Sequence, residues 1–212
     1  MRATVLVTGF DPFGGEEINA SGEVVKRLED STFDNAEVST RILPTDFSRA
    51  PRALEDAIRD SAPEVVICLG QARGRSQVTP ERVAINAADA RRIPDNADRR
   101  PLDEPVAADG PAAYWSTLPV RELEATLLAC GIPARISNTA GTFVCNQVFY
   151  SLMHLLATRR SPTRGGFIHV PVLPEQALEE AAPSMTLALS VRAVELAIEV
   201  AVRAALRALK SQ

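Results

Sequence analysis

The sequence predicts an α/β fold built on a mostly parallel sheet. Two patterns carry that expectation: short unbroken apolar runs that stop at glycine, as strands covered on both faces require, and stretches of helical periodicity between them. In chain order, residues 3–8 (Ala-Thr-Val-Leu-Val-Thr) form the first run, closed by Gly9. Residues 37–43 are the next strand candidate. Within 47–60, Phe47, Ala50, Leu54, Ala57 and Ile58 share one face of a helix. Residues 64–69 (Glu-Val-Val-Ile-Cys-Leu) repeat the first pattern and end at Gly70. Weaker strand candidates lie at 82–87 and 133–137, with a helix at 120–129 between them. Residues 91–113, rich in Arg, Asp and Pro, predict a long loop that covers a site or meets another subunit. From Cys145 a run free of Gly and Pro places Val148, Phe149, Leu152 and Leu156 at helical spacing, and 166–170 is the last strand. After Pro183, with Ser184 as N-cap, residues 185–209 form a long terminal helix. Leu187, Val191, Val194, Ile198, Ala201, Ala205 and Leu209 lie on one stripe of it, opposite Arg192, Glu195, Glu199, Arg203 and Arg207.

Composition narrows the function classes. With 46% hydrophobic and 24% charged residues, the 212-residue chain has the balance of a soluble globular protein and suits one α/β domain, 1–212. A formal net charge of −4 gives no electrostatic case for nucleic acid or an anionic membrane surface. No apolar stretch is long enough to span a bilayer, and the N-terminal run turns at glycine without the longer apolar region of a signal peptide. Cys68, Cys130 and Cys145 are odd in number and scattered, with neither disulfide-framework nor metal-site spacing. A cytoplasmic protein is expected.

In open parallel sheets ligands gather at the carboxyl ends of strands, so the segments after predicted strands are where chemistry is sought. "TGFDPFGG" at 8–15 has the glycine spacing that begins a phosphate loop, but Gly15 and Glu16 stand where that motif needs Lys and Ser or Thr. It offers instead Phe10 and Phe13 on a constrained turn, as walls for a flat uncharged group or as anchors on the core. "GQARGR" at 70–75 supplies Gln71 as a neutral donor and acceptor, while Arg73 and Arg75 carry no specific signal.

Only two histidines, His154 and His169, are present to partner a cysteine. Cysteine attacks as the thiolate, which a helix N-terminus and an imidazolium favour. On a helix starting at Cys145, His154 lies about 13 Å along the axis and roughly half a turn around, too far to partner it. His169 stands near the carboxyl end of "GGFIHVP", the sheet edge where Cys145 is also expected. Residue patterns alone leave two readings open: a catalytic Cys145–His169 pair, or a packing cysteine and a satisfied core histidine. Cys68, within an apolar strand, and Cys130, before Gly131, read as packing residues.

Five segments in order resemble the type I pyroglutamyl peptidases, also called pyrrolidone-carboxylate peptidases: "VLVTGFDPFGG", "ERVAINAADARRIPDN" at 81–96, "AAYWSTLP" at 112–119, "ISNTAGTFVCNQVFY" at 136–150 and "GFIHVPVLPEQ" at 166–176. The resemblance implies a three-layer α/β/α sandwich with a doubly wound, mostly parallel sheet. It implies Cys145 as nucleophile, His169 as general base and acid, and Glu81 as the carboxylate that orients His169. Phe10, Phe13, Thr45, Ile93, Phe143 and Val144 fall on the family's apolar pocket for the pyroglutamyl ring, with Gln71 nearby. The family has a single arginine before Ile-Pro-Asp-Asn where this chain has Arg91-Arg92; Arg91 keeps the distance from Glu81 and is assigned beside the cysteine. The implied substrates are peptides and proteins with an N-terminal pyroglutamyl residue, cleaved through a thioester, with no metal or cofactor, by a homotetramer. A cysteine amidase or acyl transferase of other specificity, and a non-catalytic binding module, are the alternatives.

Overall fold

The computed structural model describes residues 2–29, 31–178 and 182–209. Strands β1 (Ala3–Phe10), β2 (Ala36–Leu43), β3 (Val65–Ala72), β4 (Thr79–Pro80), β5 (Val83–Ile85), β6 (Ala113–Trp115) and β7 (Arg164–Pro171) alternate with helices α1 (Ala20–Leu28), α2 (Arg49–Ser61), α3 (Val120–Ala129), α4 (Val144–Thr158) and α5 (Leu187–Leu209). The main sheet has the order β2-β1-β3-β7-β4, parallel throughout except for β4, which pairs antiparallel with β7. β5 and β6 form a separate antiparallel pair. The expected α/β fold with its mostly parallel sheet is what forms.

Side-chain alternation along the strands builds a core on each face. Val5 and Val7 of β1, Ile67 and Leu69 of β3, and Ile168 and Val170 of β7 point toward α1, α3 and α5. Leu6, Val66, Cys68 and Phe167 point the other way, onto α2 and α4. Helices therefore cover both faces of the sheet, and the apolar runs of the central strands follow from that double burial. The stripe expected on the terminal helix is largely buried, with Val194, Ile198, Ala201 and Ala205 in the core and Arg192, Glu199, Arg203 and Arg207 exposed. The side chain of Leu209 lies outside the described residues.

Three expectations are corrected. The terminal helix begins at Leu187 and its first turn is capped by Thr186, whose Oγ1 accepts from Leu189 N–H at 3.3 Å; Ser184 lies before it, in a bridge to Val172. Residues 133–137 make only isolated bridges, Ala134 to Val78 and Ser137 to Glu81, because the strand β4 beside them is two residues long. Part of 82–87 does form a strand, β5, but it pairs with β6 away from the main sheet. Helix α1, which was not among the expectations, packs so closely on β1 that a Cβ on Gly22 would stand 2.5 Å from the Phe10 carbonyl oxygen.

Candidate active site

His169 sits near the end of β7, with Gly70 of β3 as its register partner on one side and Thr79 of β4 on the other. Strand parity puts it on the same face as Phe167, the face covered by α4, and the two rings are 4.9 Å apart. Glu81 follows β4 directly, is completely buried, and donates its backbone N–H to the Phe167 carbonyl at 2.9 Å. Its Oε1 lies 2.8 Å from His169 Nδ1. A carboxylate can only accept there, so Nδ1 carries the proton and the neutral ring keeps its lone pair on Nε2.

Helix α4 delivers Cys145. It starts at Val144, one residue earlier than expected, with Phe143 at the N-cap and no side chain closing the first turn. Asn146 pins this end: completely buried, it accepts from Ile85 N–H at 3.1 Å and donates to the carbonyls of Ile85 and Ala87, each at 2.9 Å. The thiol rests over β3, where a Cβ on Gly70 would be 2.9 Å from Cys145 Sγ. Gly70 is also the register partner of His169, so thiol and imidazole come to the same sheet edge, and both line a cleft of about 910 Å³.

The electrostatics of this cluster depart from expectation. Burial, reinforced by the Glu81 charge, pushes the Cys145 thiol up to about 12, against the opposing influence of Arg75. Burial also lowers His169 below its ordinary 6.5, although Glu81 pulls the other way. Glu81 is held below its ordinary 4.5: burial raises it, but the hydrogen bonds from His169 and Arg75, with the His169 charge, outweigh that. Desolvation therefore works against both the thiolate that a helix N-terminus favours and the imidazolium, although Cys145 itself is only half-buried where it lines the cleft. The helix end is real, but a few N–H dipoles do not offset desolvation and a nearby carboxylate.

The same cleft is lined by Phe13, Gln71, Ile93 and Phe143, and by Arg91 and Arg92. Phe13 and Phe143 lie 5.7 Å apart, and Phe47 supports Phe143 edge-on from beneath at 5.3 Å. Phe10, Thr45 and Val144 are buried and are not among the lining residues. Thr45 instead ties its hydroxyl to the Asp11 carbonyl at 3.1 Å. The Gln71 carboxamide is already engaged, accepting from Ala20 N–H at 2.9 Å and donating to Glu16 at 3.2 Å. Arg91 turns its guanidinium to Asp89 at 3.2 Å. The loop expected over 91–113 thus supplies one wall of the cleft.

Outside the cleft, His154 meets the Tyr114 hydroxyl at 2.9 Å and stacks on Tyr150, as its position along α4 required. Cys68 is buried, with its thiol pushed up to about 12 by desolvation. Cys130 is exposed rather than packed, because α3 ends there at the surface. Arg75 is the side chain that residue patterns did not single out: it reaches Glu81 at 2.6 Å. Its position six residues before the carboxylate, across a strand end, held no readable signal.

Fold and site together define a class, an α/β protein bearing the thiol, imidazole and carboxylate of cysteine-dependent acyl transfer. The chain belongs to the pyroglutamyl peptidase family, whose model matches residues 3–204. It is 52% identical over 197 residues to the pyrrolidone-carboxylate peptidase of Bacillus licheniformis, covering 93% of this chain and 91% of that one. The Bacillus subtilis pyrrolidone-carboxylate peptidase is 50% identical over 197 residues, with coverage of 93% and 91%. The crystal structure of pyroglutamyl peptidase I from Bacillus amyloliquefaciens superposes with a TM-score of 0.93 at 46% identity, covering 95% of this chain and 96% of that one. A mutant pyrrolidone carboxyl peptidase from the hyperthermophile Pyrococcus furiosus gives 0.91 at 43% identity, covering 94% and 98%.

Proposed function

We propose that this protein is a cysteine peptidase that removes N-terminal pyroglutamyl residues from peptides and proteins. The observation that carries the reading is the buried Glu81–His169 pair at 2.8 Å on the edge of a cleft shared with Cys145. Family membership supplies the substrate class. Phe13 and Phe143 are suited to holding a flat lactam with no charged amine, and the uncapped start of α4 offers backbone N–H groups to an oxyanion.

In this mechanism His169 Nε2 takes the Cys145 proton as Sγ attacks the carbonyl joining pyroglutamate to the next residue. Glu81 stabilises the imidazolium that results. The tetrahedral oxyanion is met by N–H groups of the first turn of α4, with Arg91 contributing charge. The intermediate collapses as His169 returns the proton to the leaving amine, leaving a thioester. Water, activated by the same imidazole, then attacks the acyl carbon, releasing pyroglutamate and restoring the thiol.

The test is release of a chromophore from a pyroglutamyl amide beside its prolyl counterpart. The expected outcome is turnover of the first and not of the second, lost in Cys145→Ala. Equal turnover of the prolyl amide, or an active Cys145→Ala, overturns the reading.

We further infer a homotetramer working in the cytoplasm. Trp115 and Leu102, 69% and 61% exposed, are apolar surface of the kind that subunit contacts cover. The three free cysteines suit a reducing compartment. Light scattering of the purified protein tests the assembly.

A further inference from the structure

Arg75 joins three parts of the site through one guanidinium. Gly74, at φ +84°, turns the chain back after β3 so that Arg75 faces the cluster. Its Nη1 donates to Thr79 Oγ1 of β4 at 2.5 Å and to Glu81 Oε1 at 2.6 Å. Its Nη2 donates to the Thr139 carbonyl at 3.1 Å. That carbonyl belongs to the turn leading into α4, which is itself braced by Ser137 and Thr139 side chains. Glu81 Oε1 therefore receives two donors, Arg75 and His169 Nδ1, on a carboxylate with no exposure.

Removing the cation leaves a buried carboxylate facing a neutral imidazole. With the cation that opposes its protonation gone, His169 takes a proton to meet the carboxylate, and its Nε2 is no longer a base. The charged groups facing His169 are Glu81, beyond β4, and Arg75, beyond β3; the titratable Cys145 of α4 lines the same cleft. Asp89, Arg91 and Arg92 stand on the cleft wall formed by the 86–112 loop. Arg75 is the cation among the groups that shift the His169 titration, and it opposes protonation of that ring. Lysine, a point charge without the planar fork, does not span Thr79, Glu81 and Thr139 at once.

We propose that Arg75 is a positioning residue for the reaction above: its guanidinium fixes Glu81 against His169 and straps β4 to the turn that carries Cys145. This rests on the reading under Proposed function. The test uses full-length Arg75→Met and Arg75→Lys, each checked for folding by thermal denaturation. For Arg75→Met, kcat should fall on the order of 10²-fold with KM changed by less than about twofold, as a displaced base predicts. The acid limb of kcat/KM should move to higher pH. The His169 imidazole, one of two in the chain and distinguished from His154 by a His154→Gln variant, should titrate at higher pH by NMR. Arg75→Lys should keep the His169 titration near that of the parent and recover part of kcat. If Arg75→Met does not fold, guanidinium added to Arg75→Ala at sub-denaturing concentration should raise kcat. A folded Arg75→Met with unchanged kcat, or one that loses activity with His169 titrating as before, overturns the proposal; so does Arg75→Ala that guanidinium does not rescue. The NMR titration needs no substrate. Failure of the parent protein on the pyroglutamyl amide would sink the activity reading instead.

Discussion

Gly70 and Cys145 approach so closely that a methyl group on the glycine would stand 2.9 Å from the cysteine sulfur. The same methyl would meet the Phe167 ring at 2.8 Å. Gly70 is needed here for closeness, since β3 must pass directly beneath the thiol while pairing with His169.

Gly70→Ala should therefore displace Sγ and the Phe167 ring rather than unfold the sheet. We expect kcat/KM for the pyroglutamyl amide to fall on the order of 10²-fold, as an ångström-scale misplacement of a reacting atom does. A variant with parental activity, measured beside its thermal midpoint, would show that the thiol has room to spare.

The raised thiol predicts the spectroscopy of the resting protein. Thiolate absorbance near 240 nm should be lacking at pH 7 in the difference between the parent and Cys145→Ser, because Cys145 is pushed up to about 12. Alkylation at neutral pH should reach the exposed Cys130 readily and leave the buried Cys68 unlabelled. A thiolate band at neutral pH would mean that the pair rests as thiolate and imidazolium.

The acid limb of kcat/KM should lie below pH 6.5, since His169 must be neutral to act as base and its pKa is lowered. Stability should follow in the same direction. Between the folded pKa of His169 and 6.5 the unfolded chain binds a proton that the folded one does not, so stability falls as pH drops through that window. Glu81, also lowered, contributes stability present above 4.5 and lost as pH falls through its folded value. Thermal midpoints across this range check both terms, with Glu81→Gln lacking the second.

Glu81→Gln should also slow turnover, by on the order of 10³–10⁴-fold, because an amide can offer its NH₂ to Nδ1 and stabilise the wrong tautomer. The loss should be less complete than that of Cys145→Ala. Full activity in Glu81→Gln would assign the orienting role to another acid.

Asn146→Ala tests the anchoring of α4. It strips three hydrogen bonds from β5 and the residues after it, which should cost on the order of 3 kcal/mol of stability. Activity should fall as well, since the thiol is one residue away. Chemical denaturation with unchanged midpoint would contradict this.

Much of the frame was legible in one dimension. β1, β3 and β7 are buried on both faces, so they read as unbroken apolar runs; α2, α4 and α5 are buried on one, so they read as helical stripes. Helix α1 was missed although Asn19 caps it and Ala20, Val24 and Leu28 lie on one buried stripe, because it is only nine residues long and carries Ser21-Gly22 in its first turn. His154 was excluded as a partner by helix geometry alone, and its contact with Tyr114 agrees.

The sequence by itself determined the main elements and the sheet edge where Cys145 and His169 gather, because local periodicity fixes elements and strand ends; the roles of Cys145, His169 and Glu81 rest on the family resemblance. Tertiary structure decided the rest. Order and register in the sheet set Gly70 beside His169, and a crossover of the chain brought Arg75 to Glu81. Desolvation then raises the Cys145 thiol against the helix end, since it depends on everything packed around a group and not on its neighbours along the chain.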